Sequence, residues 1–429
     1  MRLFFLLRFP LTGNLAVLFV ACLLASSSGI GSSKEENWSL AASASYKTSY
    51  DSNLFLQDIG DQSKHETWVN TFSASLALTH RFRSQLKSQI SYAAEANYYD
   101  GESVENHFIH RAGLNLSGAN ENSQWEWLNG VTRIDGDNKG PRFTLNGGTS
   151  AAELPAIGGV PIRDRRDAAI FRSSFKLTQT MGAVFIRPSA TFYHHNFMTG
   201  QQAPIGAFLG YQNYIDRREI GGGCDIGFEA VSNTWLVAGF RYGRQKQYQL
   251  LGASSPYGNN YARLLFGIEG SPAEWLKLHV LAGPDFRNFG SVTPAGFDTN
   301  KVYTYIDANA VITLTEADSL TVAVKRFLQP SYTSFSIYED IVYEVNYVRL
   351  LDSRFTAGCG VKAYNAKWRP PAQRNEWVFT PSMSLTYKHN ANVSAELSYS
   401  YDWADSRIAN TEGREFTRHL VGLGLRYRF

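Results

Sequence analysis

The last nine residues, 421–429, constrain the fold of this chain more than any other segment. Apolar or aromatic side chains occupy every second position, namely Val421, Leu423, Leu425, Tyr427 and Phe429. Because successive side chains of a strand point to opposite faces, this pattern predicts a strand with one apolar face that ends on an aromatic. Such an ending is typical of the closing strand of a bacterial outer-membrane β-barrel. We therefore expect Leu425, Tyr427 and Phe429 to form the signal that the barrel-assembly machinery recognises.

The N-terminal segment has the features of a secretory signal peptide. Arg2 and Arg8 precede an apolar run over 15–24, and the small residues Ala25, Ser26 and Ser27 follow it. The run is too short to span a bilayer as a mature helix. We expect cleavage near residue 30, so that residues 1–30 are the signal peptide and residues 31–429 form one outer-membrane β-barrel.

The composition excludes several classes of protein. The formal charge falls from +3 to +1 without Arg2 and Arg8, which gives no reason to expect a nucleic-acid partner. Two cysteines, Cys224 and Cys359, follow the signal peptide, too few for a disulfide framework or a cysteine zinc site. The mean hydropathy is −0.26, and a membrane protein this polar must alternate apolar and polar residues along strands. We expect no metal, no cofactor and no enzymatic activity, since no Ser/His/acid cluster is recognisable.

Period-two alternation recurs along the chain and predicts about eighteen transmembrane strands, with sixteen as the alternative. Their ranges are 38–50, 67–81, 86–98, 107–117, 124–134, 168–178, 183–194, 216–230, 234–248, 261–269, 275–286, 302–314, 319–328, 341–350, 354–364, 376–388, 392–402 and 415–429. Short turns, one of them at 270–274, alternate with longer connections. Backbone groups inside a bilayer must all be paired, so the sheet is expected to close into a single all-β, antiparallel barrel. Gly221, Gly222 and Gly223, inside one strand, indicate a bulge or bend.

A short motif follows the first strand: Tyr50-Asp51-Ser52-Asn53-Leu54-Phe55. It resembles the opening of the β-barrel porin-2 family of bacterial outer-membrane proteins, whose members are similar in size and also fill the mature chain with one barrel. The resemblance implies an outer-membrane, porin-like protein, and it brings no catalytic residues. Asp51 and Asn53 are interpreted as caps of a tight extracellular turn, because their side chains bond readily to nearby backbone.

Charged residues of both signs fall on the strand face that should line the lumen. On this alternation the lumen charges are Lys47, Lys87, Glu95, Arg187, Arg241, Lys277, Asp285 and Asp307. Such residues can solvate the inner wall, or they can set a weak ion preference in a water-filled pore.

The connection 135–167 is the candidate constriction, since connections of this length are usually functional or disordered. It ends in the charged run Arg163, Asp164, Arg165, Arg166 and Asp167. Three guanidinium groups suit carboxylate or phosphate, so the run predicts an eyelet for anions or sugars if the loop folds inward. The alternative is a solvated loop that binds lipopolysaccharide or nothing.

The sequence thus predicts a passive outer-membrane channel for small hydrophilic solutes. The alternative is a surface or exopolysaccharide-associated barrel scaffold that binds a partner through its extracellular loops. Expected partners are outer-membrane lipids and lipopolysaccharide, the assembly machinery, and small hydrophilic solutes or polysaccharide. A homotrimer is left open, because no interface can be recognised in the chain.

Overall fold

The computed structural model describes residues 37–56, 58, 63–82, 85–136, 168–197, 215–248, 255–290, 298–330, 337–368, 374–406 and 415–429. These residues form eighteen strands and one short 3₁₀ turn at Ser103–Glu105. The first nine strands are β1 Trp38–Asp51, β2 Thr67–Phe82, β3 Leu86–Tyr99, β4 His107–Ala119, β5 Ser123–Asp135, β6 Ala168–Met181, β7 Val184–Phe197, β8 Arg217–Val231 and β9 Thr234–Gln247. The others are β10 Asn259–Ala273, β11 Leu276–Phe289, β12 Asn300–Thr313, β13 Asp318–Pro330, β14 Ile337–Leu350, β15 Phe355–Trp368, β16 Arg374–Lys388, β17 Val393–Ser406 and β18 Phe416–Arg428.

Each strand pairs antiparallel with the next, and β18 pairs with β1 to close the sheet into a barrel. The seam runs from Ser43 opposite Arg428 to Asp51 opposite Leu420. Closure removes both sheet edges and satisfies their backbone groups within the wall, which a lipid environment requires. The predicted all-β, single-barrel fold is confirmed, with eighteen strands rather than sixteen.

The outer face of the barrel is apolar. Among its most exposed large side chains are Ile90, Phe266 and Val302, at 60%, 61% and 64% exposure. In the amphipathic strands the exposed apolar side chains recur at every second position, as on β18, where Val421, Leu423 and Leu425 are exposed. Such a surface is stable only against lipid, since a soluble monomer rarely exposes so continuous an apolar area.

The two ends of the barrel differ in their connections. At one end, here called the turn end, two to four residues join consecutive strands; at the other, the loop end, five or more do so. The prediction that short and long connections alternate is confirmed. Several strand ends differ from the prediction; at the turn end, residues 270–273 of the expected turn belong to β10, whose register with β11 shifts between Gly270 and Ala273.

The expected bulge at Gly221–Gly223 was also wrong. These glycines pair in unbroken register with Thr191 to Ser189 of β7 and with Gly243 to Arg241 of β9. They make room for side chains instead: a Cβ on Gly221 would lie 2.5 Å from the hydroxyl of Tyr261, and one on Gly223 would meet Arg241.

Residues 52–56, here called the inner turn, leave β1 at the loop end and fold inside the barrel. The side chains of Asn53, Leu54, Phe55 and Leu56 are all buried. Leu56 packs in a cluster with inner-face residues of β13 to β18: Phe327, Val342, Tyr364, Ala366, Val378, Ala404 and Phe416.

A second element also enters the lumen at the loop end. β12 and β13 pair only from Ile306–Arg326 to Thr313–Ser319, so residues 327–330 of β13 pair with β14 alone. The β13–β14 tip, residues 327–330 and 337–340, therefore separates from the wall. Its Leu328 is buried against the inner face of β11 and β12, in a cluster with Tyr257, Phe289, Tyr303 and Ile337.

Candidate pore and its lining

The eight charges predicted for the lumen lie on the strand face opposite the lipid-facing side chains. Arg241, for example, stands between Phe240 and Tyr242, which are exposed on the outside, and Asp285 precedes exposed Phe286. The rest of the set follow the same rule, because each lies an odd number of positions from an exposed apolar residue of its own strand and so points to the other face. They are Lys47, Lys87, Glu95, Arg187, Lys277 and Asp307.

Arg187 ties together strands that are not neighbours in the sheet. Its Nε lies 2.9 Å from Asp225 Oδ2 on β8, and its Nη2 donates to Glu269 Oε2 on β10 at 2.9 Å. Arg241 of β9 donates to the same Asp225, with Nη2 2.8 Å from Oδ2. Because β8 and β9 lie between β7 and β10 in the wall, the Arg187–Glu269 contact passes through the barrel interior. This ion network is a brace across one side of the lumen.

Asp285 belongs to a second, more deeply buried ion cluster. Arg263 Nε donates to its Oδ2 at 3.0 Å, and Arg287 donates to both of its oxygens, at 2.9 and 2.7 Å. The guanidinium of Arg263 also lies over the rings of Tyr261 and Tyr305, 4.2 and 4.4 Å from their centroids. Because its carboxylate is enclosed by Arg263 and Arg287, Asp285 holds these arginines in position and is poorly placed to contact a passing solute.

The β13–β14 tip is held in the lumen by side chains of β8, β9 and β11. Arg217 of β8 donates to the Pro330 carbonyl at 2.9 Å, and Arg287 of β11 donates to the Leu328 carbonyl at 3.2 Å. Gln245 of β9 also donates to the Leu328 carbonyl, at 3.4 Å. Side chains from three strands thus bind backbone carbonyls that the separation of β12 and β13 makes available.

A cavity of about 820 Å³ lies inside the barrel against β4 to β13. Its lining includes seven cations on inner-face positions, Arg172, Lys176, Arg187, Arg217, Arg241, Arg263 and Lys325. Only four carboxylates on inner-face positions join them, Glu219, Asp225, Glu269 and Asp307. Lys325 pairs with Asp307 at 3.4 Å, whereas Arg172 has no carboxylate partner in the described part of the chain and lies 5.7 Å from the Tyr193 ring centroid. This wall therefore carries an excess of positive charge.

The inner face of β14 to β17 carries more carboxylates than cations. Its inner-face positions carry five carboxylates: Asp340, Glu344, Glu376, Glu396 and Asp402. Among the side chains of these strands that the structure describes, two cations share those positions, Lys362 and Lys388. The charges of the lumen are thus mixed in sign around the wall.

The remaining predicted residues are only partly within the described ranges. Asp164, Asp167 and the arginines at 163, 165 and 166 lie outside the described residues, as does the signal peptide at 1–30. Leu425 and Tyr427 face outward, and the Phe429 amide donates to the Ala42 carbonyl at 3.0 Å. Their role in assembly stays a prediction.

Sequence reasoning missed several lumen residues, above all Arg263, Glu269 and Arg287. Arg287 follows Asp285 by two positions on the same strand, so its place on the inner face was recognisable from the alternation. Its burial was not, because it depends on Gln245, Asn259 and the β13–β14 tip.

Within the described ranges, no group of three or more His, Cys, Asp and Glu side chains could hold a metal ion. In the same ranges, no helix is long and apolar enough to cross a membrane.

Neither a family model nor a curated protein matches this sequence. Membership of the porin-2 family therefore stays an inference from the motif after the first strand. Three solved structures that align with the chain at low identity are outer-membrane proteins. They are the siderophore receptor PiuA from Acinetobacter baumannii (10% identity, 93% of this chain and 82% of that one, TM-score 0.45), the outer membrane protein opdK from Pseudomonas aeruginosa (10%, 91% and 98%, 0.42) and OmpT of Vibrio cholerae (9%, 92% and 99%, 0.40).

With TM-scores this low, the assignment rests on the barrel itself. An all-antiparallel closed sheet with an even number of strands, an apolar exterior and a charged interior is the architecture of bacterial outer-membrane barrels. The protein is an outer-membrane β-barrel of eighteen strands.

Proposed function

We propose that this barrel is a passive channel for small hydrophilic solutes. The observation that carries the proposal is the cavity of about 820 Å³ inside the barrel, lined by charged and polar side chains of ten strands. Barrels of sixteen to eighteen strands are wide enough to leave an aqueous passage. A charged inner wall is costly unless water or solute solvates it, so the lining itself favours a wet lumen.

The charge of the cavity lining predicts how ions would pass. The cavity against β4 to β13 carries seven cations and four carboxylates on its inner-face positions, so the local potential favours anions. Most of these cations already have a carboxylate or carbonyl partner, which reduces their effect. We therefore expect a modest anion preference rather than strict selectivity.

The connection 135–167 remains our candidate for an added constriction, with the arginines at 163, 165 and 166 as an eyelet for anions or sugars. The length of the loop and its charged end support this proposal. Deleting 140–160 should then raise the size limit of the pore.

Single-channel recording from the purified mature protein in a planar bilayer tests the proposal. We expect stepwise, ohmic current in potassium chloride, with a reversal potential in a salt gradient that indicates anions. Silence from protein that is verifiably folded, by its heat-dependent mobility in gels, would refute an open channel.

One observation favours a second function, the scaffold. The inner turn and the β13–β14 tip both occupy the lumen at the loop end, where several strand-end side chains such as His195 and Arg217 are also buried. A barrel filled in this way could serve as a rigid base for partner-binding loops. A folded barrel that stays silent after deletion of 140–160, and whose isolated form binds polysaccharide, would favour this reading.

A further inference from the structure

The inner turn is bonded to the start of β18 by three hydrogen bonds. The Ser52 amide donates to the His419 carbonyl at 3.1 Å, and the His419 amide donates back to the Ser52 hydroxyl at 2.8 Å. Asn53 Nδ2 donates to the Thr417 carbonyl at 2.9 Å. The turn therefore has a defined position on the wall and continues the β1–β18 seam into the lumen.

Asp51 links the inner turn to the buried guanidinium of Arg418. Its Oδ1 accepts the Asn53 amide at 3.0 Å, which shapes the turn, and also accepts Arg418 Nε at 2.8 Å. Both Asp51 and Arg418 are almost fully buried, and Arg418 also lies 3.8 Å from Asp402. We call the Asp51–Arg418 pair the latch.

Leu56 is the apolar end of the inner turn. It is 1% exposed and contacts a cluster with members on six consecutive strands, β13 to β18. Six strands span an arc of about 24 Å at the usual strand spacing. Leu56 can contact residues of so many strands only from inside the barrel, where the wall curves around it.

The backbone at Leu56 is costly without that packing. Its φ is +55°, in the left-handed region that side chains other than glycine rarely adopt. Such a conformation persists where the surroundings hold it in place. The cluster around Leu56 provides this hold.

The inner turn and the cavity occupy different sides of the lumen. The turn packs against β13 to β18, whereas the cavity lies against β4 to β13, and Phe327 and Tyr305 contact both the cluster and the cavity. The space left for a solute at the loop end is therefore limited by the inner turn on one side.

We propose that the inner turn is a constriction of the pore, that Leu56 anchors it to the wall, and that the latch holds it in place. This inference rests on the proposed channel function and gives the Asp51-Ser52-Asn53 motif a role beyond capping a turn. The solutes it would limit are hydrophilic molecules too large to pass between the inner turn and the wall formed by β4 to β13.

Leu56→Gly is the most direct test, because glycine removes the side chain and accepts the positive φ without strain. Leu78→Ala, which shortens a leucine on the outer face of β2, is the matched control. We expect Leu56→Gly to raise single-channel conductance at least about twofold and to enlarge the size limit for uncharged sugars, while the control matches the unaltered protein.

A second readout does not depend on current. In a Cys224→Ser, Cys359→Ser background, Leu56→Cys should react with a membrane-impermeant maleimide at least about tenfold more slowly than Glu121→Cys in an exposed turn, because the thiol is buried. Adding Arg418→Gln should accelerate labelling at position 56 and leave position 121 unchanged, since the latch is then lost.

The two readouts separate the inference from the channel function. Current from the unaltered protein that Leu56→Gly does not increase would overturn the inference and leave the channel intact. A silent unaltered protein that conducts after Leu56→Gly would support the inference, with the turn closing the pore. Silence from both would overturn both proposals, and labelling at position 56 as fast as at position 121 would overturn the inference whatever the currents.

Discussion

The carboxylate of Asp51 and the guanidinium of Arg418 form a buried ion pair across the seam that closes the barrel, with Nε 2.8 Å from Oδ1, although the two residues are 367 positions apart in the chain. The pair joins the end of β1 to the beginning of β18 at the loop end. It therefore links barrel closure to the position of the inner turn.

Replacing one member of this pair should destabilise the barrel strongly, because a buried charge loses its partner. We expect Arg418→Gln to cost about 3–5 kcal/mol of unfolding free energy. Asp51→Asn should cost less, since Arg418 keeps Asp402 at 3.8 Å. Urea unfolding in detergent micelles measures both.

The exposed pair Lys176–Glu126, at 2.8 Å, offers a control. Lys176→Gln should change the unfolding free energy by no more than about 1 kcal/mol, as for other exposed pairs. A larger loss from Asp51→Asn than from Arg418→Gln would contradict this account of the latch.

The brace around Arg187 should set the ion preference of the pore. Arg187→Met removes a cation and leaves Asp225 and Glu269 with fewer partners, so the anion preference should fall by about twofold. Glu269→Gln should shift it the other way. Reversal potentials in a potassium chloride gradient give the sign of each change.

Arg244→Gln serves as the control for both variants, because Arg244 is exposed on the outer face of β9. It removes the same charge as Arg187→Met without touching the lumen. Equal shifts from Arg187→Met and Arg244→Gln would show that the brace has no special influence on passing ions.

A side chain at Gly243 should displace Tyr261. A Cβ there would lie 2.5 Å from the Tyr261 ring and 2.8 Å from the Ile220 carbonyl. Tyr261 donates a hydrogen bond to Glu219 at 2.9 Å, and it would have to move. We expect Gly243→Ala to cost about 1–3 kcal/mol, as overpacking does.

Gly130→Ala is the matched control, because the nearest atom to its Cβ would be a carbonyl oxygen 4.0 Å away. Thermal unfolding of both variants in the same detergent provides the comparison. Equal unfolding temperatures for the two variants would mean that Tyr261 moves aside without loss of stability.

Shortening the C-terminal aromatic should impair assembly more than stability. Phe429→Ala keeps the amide that donates to the Ala42 carbonyl. The unfolding free energy of the refolded barrel should therefore be close to that of the unaltered protein. In cells, the folded fraction recovered from outer membranes should fall. Leu423→Ala, on the same outer face but inside β18, should leave that fraction high; a fall of the same size in both would argue against a terminal signal.

The strands were predictable because their signal is local. In β1, β3 and β18 one face meets lipid and the other meets the lumen, so polarity alternates residue by residue. The region 329–353 was harder to interpret, and β14 begins four residues earlier than the alternation indicated, at Ile337. Its first residues pair with the β13 end that leaves the wall, where the distinction between lipid and lumen no longer holds.

The glycines of β8 show where local reasoning fails. A run of three glycines favours a bulge in the sequence, yet the register there is regular. The small size of Gly221 and Gly223 is required by Tyr261 on β10 and Arg241 on β9, which no pattern within β8 could indicate.

By itself, the sequence determined the class of fold, the strand order and the face on which most of the strand charges lie. All three follow from period-two alternation and from the need to pair every backbone group in lipid. The tertiary structure alone decided which charges meet: Arg187 reaches β10, Arg287 reaches the β13–β14 tip, and Asp51 meets Arg418. It also decided that the motif after β1 turns inward, because the packing partners of Leu56 are supplied by six strands more than 270 positions away in the chain. Contacts across a closed barrel depend on its curvature, and curvature is a property of the whole sheet.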